Sequence, residues 1–236
     1  MESTILIAKD WDDAFIQEVQ PTEFHQFHHR YVALDPGVTD LCATLFAFYD
    51  FQNRTLHVTS ELTHSGPELN SQVLSTAIKE RLQEQGDLPI YRFVADNNNP
   101  HLLQDLNAIY NLPFYGTSKT RLESTQEGRQ EGMVNKLNNW LRQGRILVHP
   151  SCTQLIGCLR YGTWKQVGEN KRRFDHSKVY GHYDHLAALV YLVRNVDEFT
   201  NPVPTTYGFT QSTFNAIPVA PSPELQKLGS ALLGKR

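Results

Sequence analysis

The sequence predicts an α/β domain on a central mixed β-sheet, and three observations carry that expectation. Strand-like runs at 31–35, 41–49 and 55–61 follow one another through short connections, the pattern of an antiparallel meander. Helical and strand periodicities then alternate, as they do where parallel strands are joined by crossover helices. The first and fourth apolar strand runs each end in an aspartate, Asp35 and Asp96, so the same strand-carboxylate unit occurs twice along the chain.

Residues 1–29 mix short apolar pieces, Ile5 to Ala8 and Phe15-Ile16, with acidic and polar residues, which predicts an irregular lead-in lying across the domain. It ends in FHQFHHR, where His25, His28 and His29 have no further Cys or His at ligand spacing and read as a solvated loop or junction. In RYVALDPGVTD, Tyr31 to Leu34 are β-formers, Asp35 stands where the run stops, and Pro36-Gly37 turns the backbone away. Such a carboxylate is rigidly mounted for a metal or substrate, but Asp-Pro-Gly is equally an ordinary turn, and the stretch alone leaves both readings open. LCATLFAFY and TLHVTSE complete the meander.

Ser65-Gly66-Pro67-Glu68 offers a cap, a first-turn proline and an acid, after which Leu69, Val73, Leu74, Ala77, Ile78 and Leu82 recur at helical spacing up to Gly86. IYRFVA at 90–95 is a buried strand closed by Asp96, and Asn97-Asn98-Asn99-Pro100 starts a helix through Leu102, Leu103, Leu106 and Ile109. A short strand at 113–115, a helix from about Gly128 to Gly144, a strand at 145–149 and a helix at 153–160 follow. Residues 160–178 carry six Lys/Arg against Glu169 and Asp175, a net of +4, and GENK has turn composition, so a basic β-hairpin is predicted there with Trp164 and Phe174 as packing residues. Asp184 opens an apolar helix carrying Leu186, Leu189, Val190 and Val193; an acid there either complements the helix dipole or joins the two strand ends as a third carboxylate. Residues 200–236, rich in Pro, Ser and Thr, read as an extended tail with a helix from Pro223 bearing Leu225, Leu228 and Leu232.

Composition fits this frame. A chain of 236 residues, 40% hydrophobic and 20% charged, suits one α/β domain. A net charge of -3 excludes a uniformly basic nucleic-acid coat while allowing a local basic face. Cys42, Cys152 and Cys158 lack CxxC spacing and read as reduced thiols of a cytosolic protein, with no zinc site. The start lacks signal-peptide character and no run approaches the roughly 20 apolar residues of a membrane span, so a soluble, non-exported protein is expected.

Asp35 and Asp96 at strand ends and Asp184 at a helix start would meet at one sheet edge, where α/β proteins place their sites. Clustered carboxylates repel one another unless a cation neutralises them, and hard oxygen donors select Mg²⁺ or Mn²⁺ over zinc. Two such ions about 4 Å apart orient an attacking water and stabilise the leaving oxygen of a phosphodiester, so metal-assisted hydrolysis is the expected reaction. Asp40, as turn or carboxylate, Glu61 at the exit of the third strand, and His182 and His185, as ligands or helix-start packing, are further candidates.

Order and setting resemble the ribonuclease H-like fold, and within it the nuclease domain of the large terminase subunit of tailed bacteriophages. The resemblance covers about residues 10–195 and is carried by AKDWDDAFI before RYVALDPGVTD, then FVADNNNP, VNKLNNWLRQGRILVHPSC and GHYDHLAALVYLVRN. It implies a nuclease domain at 30–199, a lead-in at 1–29 joining an upstream ATPase region, and a tail at 200–236. It further implies Asp35, Asp96 and Asp184 as metal ligands, cleavage of concatemeric double-stranded viral DNA during packaging, and an ATPase motor, a small terminase subunit and a portal as partners at the procapsid in the infected host's cytoplasm. Many members carry a second acid before the helix aspartate, where this chain has Tyr183. The absence of GxxxxGK[ST] predicts no ATP hydrolysis by this chain, which reads as an excised C-terminal domain or as one whose motor is separate. Lys119, Arg121, Lys165, Lys171, Arg172, Arg173 and Lys178 are candidate phosphate contacts, positioning DNA without reading its sequence. The alternatives are a junction resolvase or transposase-type enzyme, which the aspartates fit poorly, and a DNA- or portal-docking module inactive in isolation.

Overall fold

The computed structural model describes residues 5–19, 25–37, 41–66, 69–86, 88–117, 130–168, 171–177, 179–180 and 182–204. Six strands, β1 (His29–Asp35), β2 (Leu41–Asp50), β3 (Thr55–Ser65), β4 (Arg92–Asp96), β5 (Phe114–Thr117) and β6 (Ile146–Val148), form one sheet in the order β5-β4-β1-β2-β3-β6. The pairs β1/β2 and β2/β3 are antiparallel, while β4 joins β1, β5 joins β4 and β6 joins β3 in parallel. The expected meander followed by parallel strands is therefore present. A separate hairpin pairs β7 (Trp164–Gly168) with β8 (Lys171–Phe174), and Phe174 packs edge-on against Trp164.

The apolar run of β2 hardly alternates because helices cover both faces of the sheet. Val32, Leu34 and Phe46 pack with Leu74 and Ile78 of α1 (Ser71–Glu84) and Leu103 and Leu106 of α2 (Pro100–Ala108). Tyr31, Ala33, Leu45 and Ala47 point the other way, into a core with α3 (Gln130–Arg142), α4 (Thr153–Tyr161) and α5 (Asp184–Asn195). A bulge interrupts the β2/β3 register: Ala47 faces Val58, Phe46 faces Ser60, and Thr59 is the extra residue, its Oγ1 donating to the Phe46 carbonyl at 3.1 Å. One inserted residue moves the strand's following odd positions to the other face. Glu61 and Thr63, opposite Leu45 and Ala43, thus face α4 and α5.

Several boundaries differ from expectation. β3 continues past Glu61 to Ser65, so Ser65 is a strand residue; α1 starts later, with the Asn70 side chain accepting from Val73 N at 3.0 Å. Pro67 and Glu68 lie outside the described residues, as do Glu169 and Asn170, where a turn is expected, and residues 205–236, including the helix expected from Pro223. The lead-in is held against the domain at several points. Ile7 and Ala8 are buried, Asn138 Nδ2 donates to the Ile7 carbonyl at 2.9 Å, and Ile16 bridges to Val148 in parallel beside β6. Arg142 and Arg160 add ion pairs to Asp10 and Asp13. The histidines read as a solvated loop are instead packed: His28 and His29 are buried, and His28 and His57 both stack on Phe48 at 4.7 Å with rings within 10° of parallel, so the two imidazoles take opposite faces of that ring. His29 stacks on Tyr91 at 3.7 Å. Burial is the main cause that lowers the pKa of all three, to about 4 for His28, so these imidazoles are neutral.

No described helix is long and apolar enough to cross a membrane.

Candidate active site

Parallel pairing of β1 with β4 sets Leu34 opposite Ala95, which brings the next residues, Asp35 and Asp96, to adjacent strand ends. Asp35 faces Ala43, Ala43 faces Thr63, and Asp96 faces Thr117. Thr63, Ala43, Asp35, Asp96 and Thr117 therefore form one row across β3, β2, β1, β4 and β5. Helix α5 lies along that row: Thr63 Oγ1 bonds His185 Nε2 at 3.0 Å, Tyr191 OH donates to Asp96 Oδ2 at 2.9 Å, and Asn195 Nδ2 donates to Thr117 Oγ1 at 3.0 Å. Four strand spacings measure about 19 Å and the helix from His185 to Asn195 about 15 Å, so the helix runs across the strands. Asp184 heads it, one residue before the first of these contacts.

Local backbone chemistry fixes each carboxylate. At Gly37 an added Cβ would collide with the Leu41 carbonyl, so only glycine lets the chain fold back so tightly after Asp35. Beyond Asp96, Asn99 Oδ1 accepts from Leu102 N at 3.2 Å and Pro100 occupies the first turn of α2, ending the strand where the carboxylate stands. Before Asp184, Tyr183 adopts φ 61° and ψ 43°, a left-handed conformation costing about 1–2 kcal/mol for a non-glycine residue. Its ring is buried and its hydroxyl donates to the Tyr161 carbonyl at 3.0 Å, so the position preceding the helix aspartate holds a packing tyrosine.

Asp35, Asp96 and Asp184 are 9%, 1% and 8% exposed. Their charges reach shared neighbours. Burial, then Asp35, pushes the Cys42 thiol up to about 12, with Asp184 adding to the shift. Burial, then Asp35 and Asp96, raises Tyr191 far above the usual phenol range, which keeps its hydroxyl a proton donor. Asp35 is the acid common to both neighbourhoods. The Cys158 thiol is likewise raised to about 12, chiefly by burial, with Asp184 and Glu61 contributing, so both thiols near Asp184 are protonated and poor ligands. Among the described residues no three His, Cys, Asp or Glu side chains lie close enough to form a preassembled metal cage.

The remaining candidates have other contacts. Glu61 accepts from Gln154 N at 2.8 Å and Leu155 N at 2.9 Å, capping α4, whose N-cap Cys152 supplies no side-chain bond; burial is the main influence on this carboxyl and raises its pKa. His185 is buried and neutral, its pKa lowered to about 4, with a hydrogen bond to the Leu62 backbone besides that to Thr63. His182 is exposed, edge-on to His176 at 4.5 Å. Lys165, Arg172 and Arg173 are exposed on the hairpin, and Lys171 opens β8. Asp40, Lys119, Arg121 and Lys178 lie outside the described residues. Sequence reasoning missed Thr63, Thr117, Tyr191 and Asn195. Tyr191 was within reach, since a polar group seven residues after Asp184 lies on the same helix face.

The mixed sheet, with helices on both faces and acids at the ends of its first and fourth strands, is a ribonuclease H-like fold. No family model and no curated protein matches the chain. Among solved structures it shares the fold of large-terminase nuclease domains. The large terminase of one thermophilic bacteriophage superposes with a TM-score of 0.66 at 11% identity over 82% of this chain and 45% of that one, so the chain spans less than half of that protein. The large-terminase nuclease of thermophilic phage G20c with bound magnesium gives 0.58 at 12% identity over 82% and 98% of the two chains. The nuclease domain of the bacteriophage SPP1 large terminase with bound Mn gives 0.51 at 17% identity over 77% and 96%.

Proposed function

We propose that the chain is the nuclease part of a DNA-packaging terminase, a Mg²⁺- or Mn²⁺-dependent endonuclease that cuts concatemeric double-stranded viral DNA with little sequence preference. The observation that carries this reading is the row of strand ends at which Asp35 and Asp96 stand side by side beneath a helix headed by Asp184. The donor set fits a hard divalent cation: three buried carboxylates, with the neighbouring thiols protonated and His185 engaged by Thr63 and Leu62. The Mn and magnesium bound in the SPP1 and G20c nucleases point the same way. Asp35, Asp96 and Asp184 would hold one or two ions, with Asp35 central. When bound, the cation supplies charge neutralisation at the phosphodiester and a more acidic water.

The chain's own residues do the rest. The Asp35 and Asp96 strand ends and the Tyr191 bond give the ligands fixed places, and the exposed cations Lys165, Arg172 and Arg173, with Lys171, hold backbone phosphates. An ATPase motor, a small terminase subunit and a portal are the partners this role requires, with action at the procapsid in the host cytoplasm. The test is supercoiled plasmid incubated with the protein and Mn²⁺. Nicking and linearisation that Asp35→Ala abolishes are expected. Binding without cleavage at every Mn²⁺ concentration would make the chain a docking module, and strong preference for four-way junctions would make it a resolvase.

A further inference from the structure

Tyr191 and Asp96 are 2% and 1% exposed, and the bond between them, 2.9 Å from hydroxyl to carboxylate, is made wholly inside the protein. One turn further along α5, Asn195 Nδ2 bonds both the Tyr191 carbonyl, at 2.8 Å, and Thr117 Oγ1, at 3.0 Å, the residue beside Asp96 on β5. The helix that carries Asp184 at its start thus grips the Asp96 carboxylate two turns later. A phenol donor in a dry site costs little entropy to hold in place, because its ring is fixed by packing. It occupies one oxygen of the acid and so restricts the carboxylate to a single rotamer. Donors to metal-binding groups act in this way, and their loss lowers cation affinity about 10–100-fold.

We propose that Tyr191 is a positioning residue that orients the Asp96 carboxylate for a divalent cation, coupling the seat of α5 to the geometry of the carboxylate row. This rests on the reading of Asp35, Asp96 and Asp184 as cation ligands, and deepens it. Asn195 serves as the comparison, because it fixes the same helix without touching an acid.

The experiment measures Mn²⁺ binding directly, by the loss of the free-ion electron paramagnetic resonance signal, in the wild-type chain, Tyr191→Phe, Asn195→Ala, Asp96→Asn and the double variant Tyr191→Phe/Asp96→Asn, with thermal melting of each. Tyr191→Phe is expected to weaken Mn²⁺ binding about ten-fold and to have no further effect once Asp96 is Asn. Asn195→Ala is expected to lower the melting temperature while leaving Mn²⁺ affinity within about two-fold. An unchanged affinity in Tyr191→Phe, or the same loss with Asp96 and with Asn at 96, would overturn the proposal while leaving the ligand reading intact. So would an equal loss in Asn195→Ala, which would make the effect one of helix seating. Wild-type affinity in Asp96→Asn would overturn the ligand reading and the proposal with it.

Discussion

At the carboxyl ends of β1 and β4 the sheet buries Asp35 and Asp96 beside α5, while at the opposite end of the sheet it buries His28 and His29 and half-buries His57 against Phe48 and Tyr91. Both ends remove ionisable groups from water, which disfavours their charged forms. The imidazoles meet this by giving up a proton and stacking their neutral rings on aromatic faces. For the carboxylates the proposed reading supplies a different remedy, a cation from outside. On the proposed reading one end would answer to pH and the other to a divalent cation, and a perturbation aimed at one should leave the other nearly untouched.

The largest expected effect lies at the acid end. Asp184→Asn should cut plasmid cleavage by about 10³-fold, the several kcal/mol of transition-state stabilisation that metal-borne charge contributes, with an unchanged or slightly raised melting temperature because one of several repelling acids is gone. Wild-type cleavage in this variant would assign the third ligand elsewhere.

The next effect belongs mainly to the histidine end, although His185, beside Asp184, shares it. The folded-state pKa values of His28 and His185 are lowered from 6.5 to about 4. Lowered values mean that the stability these groups contribute is present above pH 6.5 and is lost as pH falls from 6.5 toward 4. For His185, buried in the core, that loss is about 3 kcal/mol across the window, and His28 adds to it. Melting followed from pH 7 to pH 4 should fall steeply below about 6.5, and His28→Gln should flatten part of the fall. A melting temperature independent of pH over that range would refute the account of neutral, stacked imidazoles.

Smaller effects sharpen the geometry. Gly37→Ala forces a Cβ against the Leu41 carbonyl and should cost about 1–3 kcal/mol in denaturant unfolding, with cleavage reduced because Asp35 moves with the turn. Replacing Lys171, Arg172 and Arg173 together by alanine should weaken DNA binding while leaving melting unchanged. The slope of log K against log salt should shrink by about 2.7 if all three contact phosphates, and an unchanged slope would leave the hairpin a solvated turn.

The two ends were not equally legible in the sequence. Asp35 and Asp96 stood out because each closes an apolar run that had to be a strand, and the hairpin stood out by charge and turn composition. The histidine end was misread because FHQFHHR is polar by composition, whereas its burial depends on Phe48 and Tyr91, which reach it only through the sheet. Ile7 and Ala8 belong to a segment too short to show a period, and their burial depends on Asn138, more than a hundred residues away. The sequence places the start of α1 at Ser65, but β3 runs on to Ser65 and Asn70 caps the helix instead. The left-handed Tyr183 and the bond from Tyr191 to Asp96 leave no mark in composition, because one is a backbone angle and the other a meeting across the fold.

The extra residue at Thr59 carries a rule about register. Were Thr59 instead paired regularly with Phe46, Glu61 and Thr63 would fall opposite Thr44 and Cys42 and turn toward α1 and α2, taking the backbone cap from α4 and the Thr63 partner from His185. A chain lacking Thr59 would keep both side chains opposite Leu45 and Ala43 without a bulge, so in this stretch the way the extra residue is accommodated, as much as residue identity, decides which helices the acid and the hydroxyl meet.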